Sequence, residues 1–472
     1  MIKDHIISLI KEKLEYVPTP SQDKLIQALA GFLTHAPRQQ ILVVKGFAGT
    51  GKTTVLSSFI NILPGLKLRS VLLAPTGRAA KLLSLASGNP AYTIHKKIYR
   101  QKSAKDGFGE FTLDRNLHSQ TFFIVDEASM INTGSADQSI FGTGNLLEDL
   151  LSYVFNNKGC KLILIGDTAQ LPPVGTDISP ALDSKTLESY GFDVHEKLLD
   201  DVVRHNLDSG ILNNATTIRN YFHEGFEGFP RLNDNFDDFI RLPGSQLGEE
   251  ISECYDKFGM DQTIIICRSN KRANKYNQGI RQSILFREEE ISPGDYLMVV
   301  KNNYYWLAEE ENPDFIANGD IIRVQKILGY EERYGIRFAE IIAELIDYKD
   351  MEVEIKIILD TLLLEGPAFT SGQNKDLFYS VLEDYQDIPA RKKQYEAVRM
   401  DPYFNGLQVK FAYAVTCHKA QGGQWKAVFI DQGILREEMI DREYLRWLYT
   451  AVTRATERLY LVNFSPKFFG EE

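Results

Sequence analysis

A glycine-rich segment, Gly46-Phe-Ala-Gly-Thr-Gly-Lys-Thr53, constrains this chain more than any other feature of its sequence. It follows the apolar run Ile-Leu-Val-Val at 41–44 and opens a run with helical spacing, as a phosphate-binding loop between a strand and a helix does. In such a loop backbone N–H groups surround phosphate oxygens, a lysine reaches the β- and γ-phosphates, and a threonine hydroxyl ligates Mg²⁺. We therefore expect ATP and Mg²⁺ as cofactors. The expected contacts in this segment are Gly46, Ala48, Gly49, Thr50, Gly51, Lys52, Thr53 and Thr54, with Thr53 also a metal ligand.

Two further apolar runs end in polar side chains suited to phosphoryl transfer. Phe-Phe-Ile-Val at 122–125 leads into Asp126 and Glu127. At a strand end, Asp126 is expected to hold Mg²⁺ and Glu127 to polarise the attacking water. The run at 161–166 leads into Gln170, whose amide is expected to contact the γ-phosphate. Lys52, Asp126, Glu127 and Gln170 are thus the first catalytic candidates.

The apolar runs also predict the fold class. Runs at 41–44, 71–74, 122–125 and 161–166, separated by helical segments, are typical of a parallel sheet buried on both faces. A second α/β region is predicted from runs at 263–267, 411–415, 427–431 and 458–462, and a mostly β insertion interrupts it. The expected domains are 1–92 with 119–195, a small excursion at 93–118, 196–295 with 408–472, and the insertion at 296–407, whose part at 366–405 looks helical and irregular.

Composition limits the class of protein. At 472 residues and 43% hydrophobic content, two or more globular units are expected. The four cysteines lie far apart, and no apolar run is long enough for a bilayer, so a cytoplasmic protein without a membrane partner is expected. A net charge of −11 argues against a protein that coats nucleic acid. A basic stretch at 96–105, with Tyr99 within it and Tyr92 just before it, would nevertheless suit a local groove.

The order of these segments resembles motifs I, II and III of superfamily 1 helicases, and Val-Asp-Glu-Ala-Ser-Met at 125–130 is similar to the RecD/Dda branch. Further segments resemble the remaining motifs in sequence order. They are 19–22 (Q motif), 74–81 (motif Ia), 93–95 (entry to the small 1B domain), Arg204 (motif IV), 415–422 (motif V) and 449–454 (motif VI). The resemblance thins out between about 330 and 405.

The resemblance implies two RecA-like domains, a small 1B excursion with a duplex-splitting pin, and an inserted SH3-like 2B domain. It implies that Gln22 reads adenine and that Arg204 and Arg454 act as arginine fingers. It also implies translocation on single-stranded DNA in the 5′-to-3′ direction, by a monomer that acts at single-strand/duplex junctions alongside replication, repair or recombination proteins. The residues that would contact nucleic acid are Pro75, Thr76, Arg78, Lys96, Phe108, Phe111, Thr416, His418 and Lys419.

Three alternatives remain at the level of sequence. A superfamily 1 RNA helicase would stack bases and bind phosphates in a similar way, and only 2′-hydroxyl contacts would differ. A P-loop adaptor ATPase would bind a protein partner and unwind nothing. A motor subunit of a nuclease complex is the third, although no separate nuclease carboxylate cluster is evident in the sequence.

Overall fold

The computed structural model describes residues 2–14, 16–34, 39–102, 110–134, 142–157, 159–203, 208–224, 228–307, 315–346, 348 and 351–471. The chain divides into two compact units. The first comprises residues up to Lys102, Glu110–Asn233 and Ile440–Thr453; most of the second is Asp234–Met439 and Arg454–Glu472. In the part of the chain that is described, no helix combines the length and the apolar character needed to cross a membrane.

The first unit is built on a six-stranded sheet in the order β3-β2-β6-β7-β1-β8, with every neighbouring pair parallel. A separate antiparallel pair, β4 and β5, lies within the predicted 93–118 excursion. The strands are β1 Gln40–Gly46, β2 Arg69–Ala74, β3 Ala91–Thr93, β4 Tyr99–Lys102, β5 Glu110–Leu113, β6 Thr121–Val125, β7 Lys161–Gly166 and β8 Asp193–Leu199. The boundary expected at residue 195 therefore falls inside β8.

Helices cover both faces of this sheet, as the alternation along β1 shows. Leu42 and Val44 belong to one buried cluster, whereas Ile41 and Val43 belong to another. A strand buried on both faces needs apolar side chains at every position, which is why the run is continuous. The helices of this unit are α1 Ile2–Glu12, α2 Pro20–Thr34, α3 Lys52–Ile62, α4 Gly77–Ser87, α5 Ile94–Ile98, α6 Leu146–Phe155, α7 Ser184–Ser189, α8 Gly210–Glu224 and α14 Arg442–Val452.

The second unit contains a parallel sheet in the order β16-β10-β17-β18-β9 and a closed barrel of β11 to β15. Its strands are β9 Phe239–Leu242, β10 Thr263–Cys267, β11 Tyr296–Val299, β12 Ile321–Arg333, β13 Ile336–Leu345, β14 Glu352–Ile358, β15 Leu407–Phe411, β16 Ala414–Thr416, β17 Trp425–Asp431 and β18 Ala455–Val462. Its helices are α9 Leu247–Phe258, α10 Asn270–Ser283, α11 Ser371–Glu383, α12 Arg391–Arg399 and α13 Cys417–Ala420. Single 3₁₀ turns occur at Pro64–Leu66, Ala128–Met130, Pro180–Leu182, Gly244–Gln246, Met260–Gln262, Leu359–Thr361, Glu437–Met439 and Pro466–Phe469.

The predicted fold class is confirmed: two parallel-sheet domains, with a β barrel inserted into the second. The expectation of one strand over 411–415 is wrong, because this run is divided between two sheets. Phe411 pairs with Leu297 at the end of the barrel. Two residues later the Tyr413 hydroxyl donates to Asp295 at 2.8 Å, and the chain then enters the parallel sheet. An apolar run does not reveal where a chain changes sheets.

The segment at 366–405 forms helices α11 and α12, which pack on the barrel. Phe378 and Tyr395 from the helices share a buried cluster with Phe338 and Ile358 from the barrel strands. The cluster is rich in aromatic rings, with Phe378 and Tyr395 centroids 5.5 Å apart in an edge-on arrangement. The pair of helices therefore covers one side of the barrel with its own apolar core.

Candidate functional site

The glycine-rich segment forms a tight loop from the end of β1 to the start of α3. Gly49 and Gly51 have φ values of 74° and 75°, which disfavour residues with a Cβ atom. A Cβ on Gly51 would lie 2.6 Å from the Gln22 side-chain nitrogen. A Cβ on Gly46 would lie 2.7 Å from the Lys52 side chain. The glycines are thus required both by backbone conformation and by the close approach of neighbouring side chains.

Lys52 lies across this loop. Its Nζ donates to the carbonyl oxygens of Gly46 at 2.8 Å and Phe47 at 2.9 Å. No side chain of the described residues caps the start of α3, so none of them takes the first backbone N–H groups of that helix. An uncapped helix start beside an ammonium group favours bound anions, as a phosphate-binding loop requires.

Gln22 joins the N-terminal segment to the loop. Its buried side-chain Nε2 donates to the Thr50 carbonyl at 2.9 Å and to the Tyr16 hydroxyl at 3.3 Å, while its Oε1 accepts from the Thr19 N–H at 3.0 Å. Both N–H bonds of the amide are therefore used within the protein. Recognition of adenine by Gln22 stays a prediction, and only the oxygen retains capacity for it.

The Asp126 and Glu127 pair lies at the end of β6. The Glu127 N–H donates to Asp126 Oδ1 at 2.9 Å, and Glu127 itself has a φ of 51°, a strained conformation for a residue other than glycine. Burial and the adjacent Glu127 carboxylate raise the pKa of Asp126 to about 6. The Glu127 N–H thus braces the Asp126 carboxylate, and two adjacent carboxylates at a strand end suit two different roles.

The donor set in this region fits Mg²⁺ better than a transition metal. Among the described residues no group of three or more His, Cys, Asp or Glu side chains could hold a metal ion. Mg²⁺ typically takes one or two protein oxygens and completes its shell with water and substrate phosphates. The Thr53 hydroxyl and the Asp126 carboxylate are oxygen ligands of that kind, so they would hold an ion that arrives with the nucleotide.

A short turn after β7 carries Gln170. Asp167, which is fully buried, accepts through Oδ1 from the Ala169 N–H at 2.9 Å, and its backbone carbonyl accepts from the Gln170 N–H at 3.3 Å. Gln170 is itself buried, and its Oε1 has no hydrogen-bond partner among the described residues. A buried amide oxygen without a partner is costly unless a ligand or water satisfies it.

Helix α14 fastens this turn to the phosphate loop. The Tyr449 hydroxyl accepts from the Ala48 N–H at 2.9 Å and donates to Asp167 Oδ2 at 2.7 Å. The Thr450 hydroxyl accepts from the Leu171 N–H at 2.8 Å. The Ala48 N–H, expected as a nucleotide contact, therefore already has a partner within the protein, and its contact with nucleotide stays a prediction.

The chain after β8 follows the phosphate loop. The Phe47 N–H donates to the Leu199 carbonyl at 3.4 Å, and the Val203 N–H donates to the Gly49 carbonyl at 3.1 Å. Arg204 lies outside the described residues, but Val203 precedes it directly in sequence. On α8, the Arg219 guanidinium lies 4.2 Å from the centre of the Phe47 ring. A cation that the sequence prediction did not include thus stacks on the loop.

Arg454 directly precedes β18 in the second unit and is buried. Its guanidinium donates to the Gly423 carbonyl at 3.2 Å, and its own carbonyl accepts from the Trp425 N–H at 2.9 Å. These partners adjoin the segment that resembles motif V. Arg454 therefore lies beside the end of the motif V segment, while its action on the γ-phosphate stays a prediction.

The nucleic-acid candidates of the first unit have local structural roles. Thr76 caps α4, because its hydroxyl accepts from the Ala79 N–H at 3.2 Å, and Pro75 and Arg78 flank that cap. Lys96 lies 5.4 Å from the Tyr92 ring centre. Phe111, from β5, packs partly buried against the sheet core, which favours packing over base stacking. Phe108 lies outside the described residues.

The candidates of the second unit lie in the short helix α13 and at its N-terminus. Thr416 is its N-cap residue, although its hydroxyl makes no capping hydrogen bond, and His418 is exposed. Lys419 is partly exposed, but its Nζ is buried and has no hydrogen-bond partner among the described residues. Burial and the neighbouring Lys410 lower the pKa of Lys419 to about 7. Because burial disfavours the charged form of this amine, a nearby phosphate would stabilise that form and raise the pKa.

Sequence reasoning missed the residues that hold the candidate site together. Tyr16, Asp167, Arg219 and Tyr449 each touch the phosphate loop or a residue bonded to it. The only available signal was proximity to a motif: Asp167 lies three residues before Gln170, and Tyr449 lies within the motif VI segment. Nothing in the spacing connects Arg219 or Tyr16 with the loop.

A phosphate loop, a carboxylate pair and a buried glutamine turn on one parallel sheet define the class of P-loop ATPases. The sequence model of the AAA domain matches residues 19–220, and that of the UvrD-like helicase C-terminal domain matches residues 411–462. These matches fall on the two parallel-sheet regions. In both regions the chain is similar to superfamily 1 helicases of the RecD/Dda type.

Three known proteins illustrate the relationship. The ATP-dependent DNA helicase dda of Enterobacteria phage T4 is 26% identical over 454 residues, covering 89% of this chain and 94% of that protein. The ATP-dependent RecD2 DNA helicase of Deinococcus radiodurans is 32% identical over 158 residues, which cover 34% of this chain and only 20% of that protein. A Bacteroides Pif1 helicase solved with ADP-AlF3 and ssDNA is 15% identical, with a TM-score of 0.47 and coverage of 97% and 95% of the two chains.

Proposed function

We propose that this chain is an ATP-driven DNA helicase that moves along single-stranded DNA in the 5′-to-3′ direction and separates duplexes at junctions. The observation that carries the proposal is the buried, unpartnered Oε1 of Gln170, held by Asp167 in the same unit as the phosphate loop. Such an amide suits a site that hydrolyses ATP, because a glutamine in P-loop nucleotide hydrolases orients the attacking water. The action on DNA is proposed from the similarity of both parallel-sheet regions to DNA helicases.

The proposed hydrolytic roles follow the chemistry of each side chain. Lys52 binds the β- and γ-phosphate oxygens, while Thr53 and Asp126 hold Mg²⁺, which supplies charge neutralisation on the phosphates when it is bound. Glu127 accepts a proton from the attacking water. Gln170 positions that water or the γ-phosphate. Two arginines, Arg204 and Arg454, supply positive charge to the transferring phosphoryl group.

The proposed DNA contacts are of two kinds. The start of α4 around Thr76 offers backbone N–H groups at a helix N-terminus, flanked by Arg78. The α13 segment offers His418 and Lys419. Phosphate contacts of this kind bind single strands without reading sequence, as a motor on arbitrary DNA requires. We propose that the protein acts as a monomer, with replication or repair proteins as partners. We also propose that the domains follow the boundaries given above, with the first extended to the end of β8 and the insertion extended to the end of β15.

The test is ATP hydrolysis by the full chain with Mg²⁺, measured alone and with single-stranded DNA, duplex DNA and single-stranded RNA. The expected result is turnover that single-stranded DNA stimulates at least about tenfold more than RNA does. Equal stimulation by RNA would favour an RNA helicase. Hydrolysis indifferent to every nucleic acid would contradict a helicase and favour an adaptor ATPase. Metal removal by EDTA should stop hydrolysis, and added Mg²⁺ should restore it.

A further inference from the structure

The phenol of Tyr449 lies between two functional loops of the first unit. It is buried on α14 and has one proton to donate. Because a backbone N–H can only donate, the hydroxyl accepts a hydrogen bond from the Ala48 N–H at 2.9 Å. It therefore donates its own hydrogen bond to the Asp167 carboxylate at 2.7 Å. Burial and the Asp167 charge hold the pKa of Tyr449 well above its usual range, so the phenol stays protonated and remains a donor.

Asp167 passes this contact to Gln170. One carboxylate oxygen accepts a hydrogen bond from the Tyr449 hydroxyl, and the other accepts one from the Ala169 N–H at 2.9 Å. The Asp167 carbonyl also accepts from the Gln170 N–H at 3.3 Å. The carboxylate thus fixes the turn that ends in the unpartnered amide of Gln170. If the phenol oxygen were removed, a buried charged oxygen would lose a donor and the turn would lose an anchor.

The neighbouring Thr450 provides an internal comparison. Its hydroxyl accepts from the Leu171 N–H at 2.8 Å, so it also fastens α14 to the Gln170 turn. It donates to the Arg446 carbonyl within the same helix at 2.7 Å. Neither of these two hydrogen bonds reaches the phosphate loop, unlike those of Tyr449. If the two residues only attached α14 to the Gln170 turn, their loss should have similar effects. Of the hydrogen bonds compared, only that of Tyr449 with the Ala48 N–H also reaches the phosphate loop.

We propose that Tyr449 is a positioning residue that couples the phosphate loop to Gln170 through the path Ala48, Tyr449, Asp167. A change in the loop when phosphate binds is passed through the phenol to the Gln170 turn. Arg454, the predicted arginine finger, follows Tyr449 by five residues in the sequence. This inference rests on nucleotide binding at the site of the proposed function, but not on unwinding.

The test is a double-mutant cycle of Tyr449→Phe and Gln170→Ala, with Thr450→Val as the matched control and thermal unfolding measured for each variant. We expect Tyr449→Phe to lower kcat by about tenfold, the effect of one buried hydrogen bond to a charged group, with the KM for ATP changed by less than about threefold. In the Gln170→Ala background the same change should lower kcat by less than about twofold, because both residues act through one element. Thr450→Val should lower the melting temperature and lower kcat by less than Tyr449→Phe does, because it removes an anchor of the Gln170 turn but leaves the hydrogen bond between Tyr449 and the phosphate loop in place.

The cycle is repeated on equilibrium binding of ADP and of the slowly hydrolysed analogue AMP-PNP, which needs no turnover. Tyr449→Phe should weaken AMP-PNP relative to ADP in the wild-type background and leave that ratio unchanged in the Gln170→Ala background. Equal effects in both backgrounds, or equal losses in Tyr449→Phe and Thr450→Val, would overturn the coupling. A wild-type chain that binds AMP-PNP but hydrolyses no ATP would contradict the proposed function alone, because the binding cycle still decides the role of Tyr449.

Discussion

The side-chain Nε2 of Gln22 donates to the backbone carbonyl of Thr50 at 2.9 Å, which ties the N-terminal segment to the centre of the phosphate loop. The same amide nitrogen donates to Tyr16, and its oxygen accepts from Thr19. One buried amide therefore joins residues 16–22 to the phosphate loop. Together with Lys52, whose Nζ donates to the Gly46 and Phe47 carbonyls, this amide holds the backbone of the loop in place.

Gln22→Ala should weaken both the fold and nucleotide binding. It leaves buried partners of the amide unpaired, which costs about 1–3 kcal/mol of unfolding free energy. The KM for ATP should rise several-fold because the loop is less well ordered. Thermal unfolding and steady-state kinetics measure the two effects. Gln27→Ala is the matched control, since Gln27 is exposed on the same helix and its side chain donates to Asp23 there. Equal behaviour of the two variants would refute the role given to Gln22.

Lys52→Ala should abolish hydrolysis without unfolding the protein. The ammonium donates to two carbonyls of its own loop, at Gly46 and Phe47, so its loss leaves the sheet core intact. Turnover should fall below detection while circular dichroism and the melting temperature stay close to those of the wild type. Lys45→Ala, which removes a lysine from the adjacent strand, is the control. Normal turnover in Lys52→Ala would remove the segment from the nucleotide site.

Glu127→Gln should separate binding from chemistry. The amide keeps the size of the side chain but cannot accept the proton of the attacking water, so kcat should fall by about 10²-fold or more. Binding of AMP-PNP, measured by calorimetry, should stay within a few-fold of the wild type. Glu148→Gln, an exposed change in the first turn of α6, should leave kcat unaltered. A kcat near the wild-type value would show that Glu127 is not the base.

Lys419 should make DNA affinity depend on pH. With its pKa lowered to about 7, the amine is already charged below that pH and attracts phosphate fully. Above that pH a proton must be taken up when DNA binds, so affinity should fall as pH rises from about 6 to about 9, by up to about tenfold per unit. Fluorescence anisotropy with a labelled oligonucleotide at constant ionic strength measures this dependence.

In Lys419→Met the pH-dependent part of the affinity should disappear, while in Lys426→Met it should persist. Lys426 is a suitable control because it is a surface lysine of the same unit, paired with Glu457 at 3.0 Å. If Lys419→Met retained the whole pH dependence, the lysine would not contact DNA phosphate.

Local pattern explains why the parallel sheets could be predicted. The run at 122–125 is apolar at every position because both faces of β6 are buried, and the glycines of the phosphate loop are required by backbone geometry. Both signals act over a few residues. They can therefore be recognised from a short stretch of sequence, whatever the distant parts of the chain contain.

The contacts that hold the site together could not be predicted in the same way. Ala48 and Tyr449 are 401 residues apart in sequence, and Asp167 and Tyr449 are 282 apart. Any buried tyrosine has the same local pattern as Tyr449, since the partner of its hydroxyl depends on tertiary structure. The division of the run at 411–415 between two sheets is hidden for the same reason.

The central claim is tested most directly by strand separation with ATP and Mg²⁺ on three DNA duplexes that carry a 5′ tail, a 3′ tail or no tail. We expect the protein to unwind the 5′-tailed duplex and not the blunt duplex, and we expect Lys52→Ala to unwind neither. Unwinding only of the 3′-tailed duplex would contradict the proposed direction. Failure to unwind any duplex, by protein that hydrolyses ATP, would contradict the helicase itself.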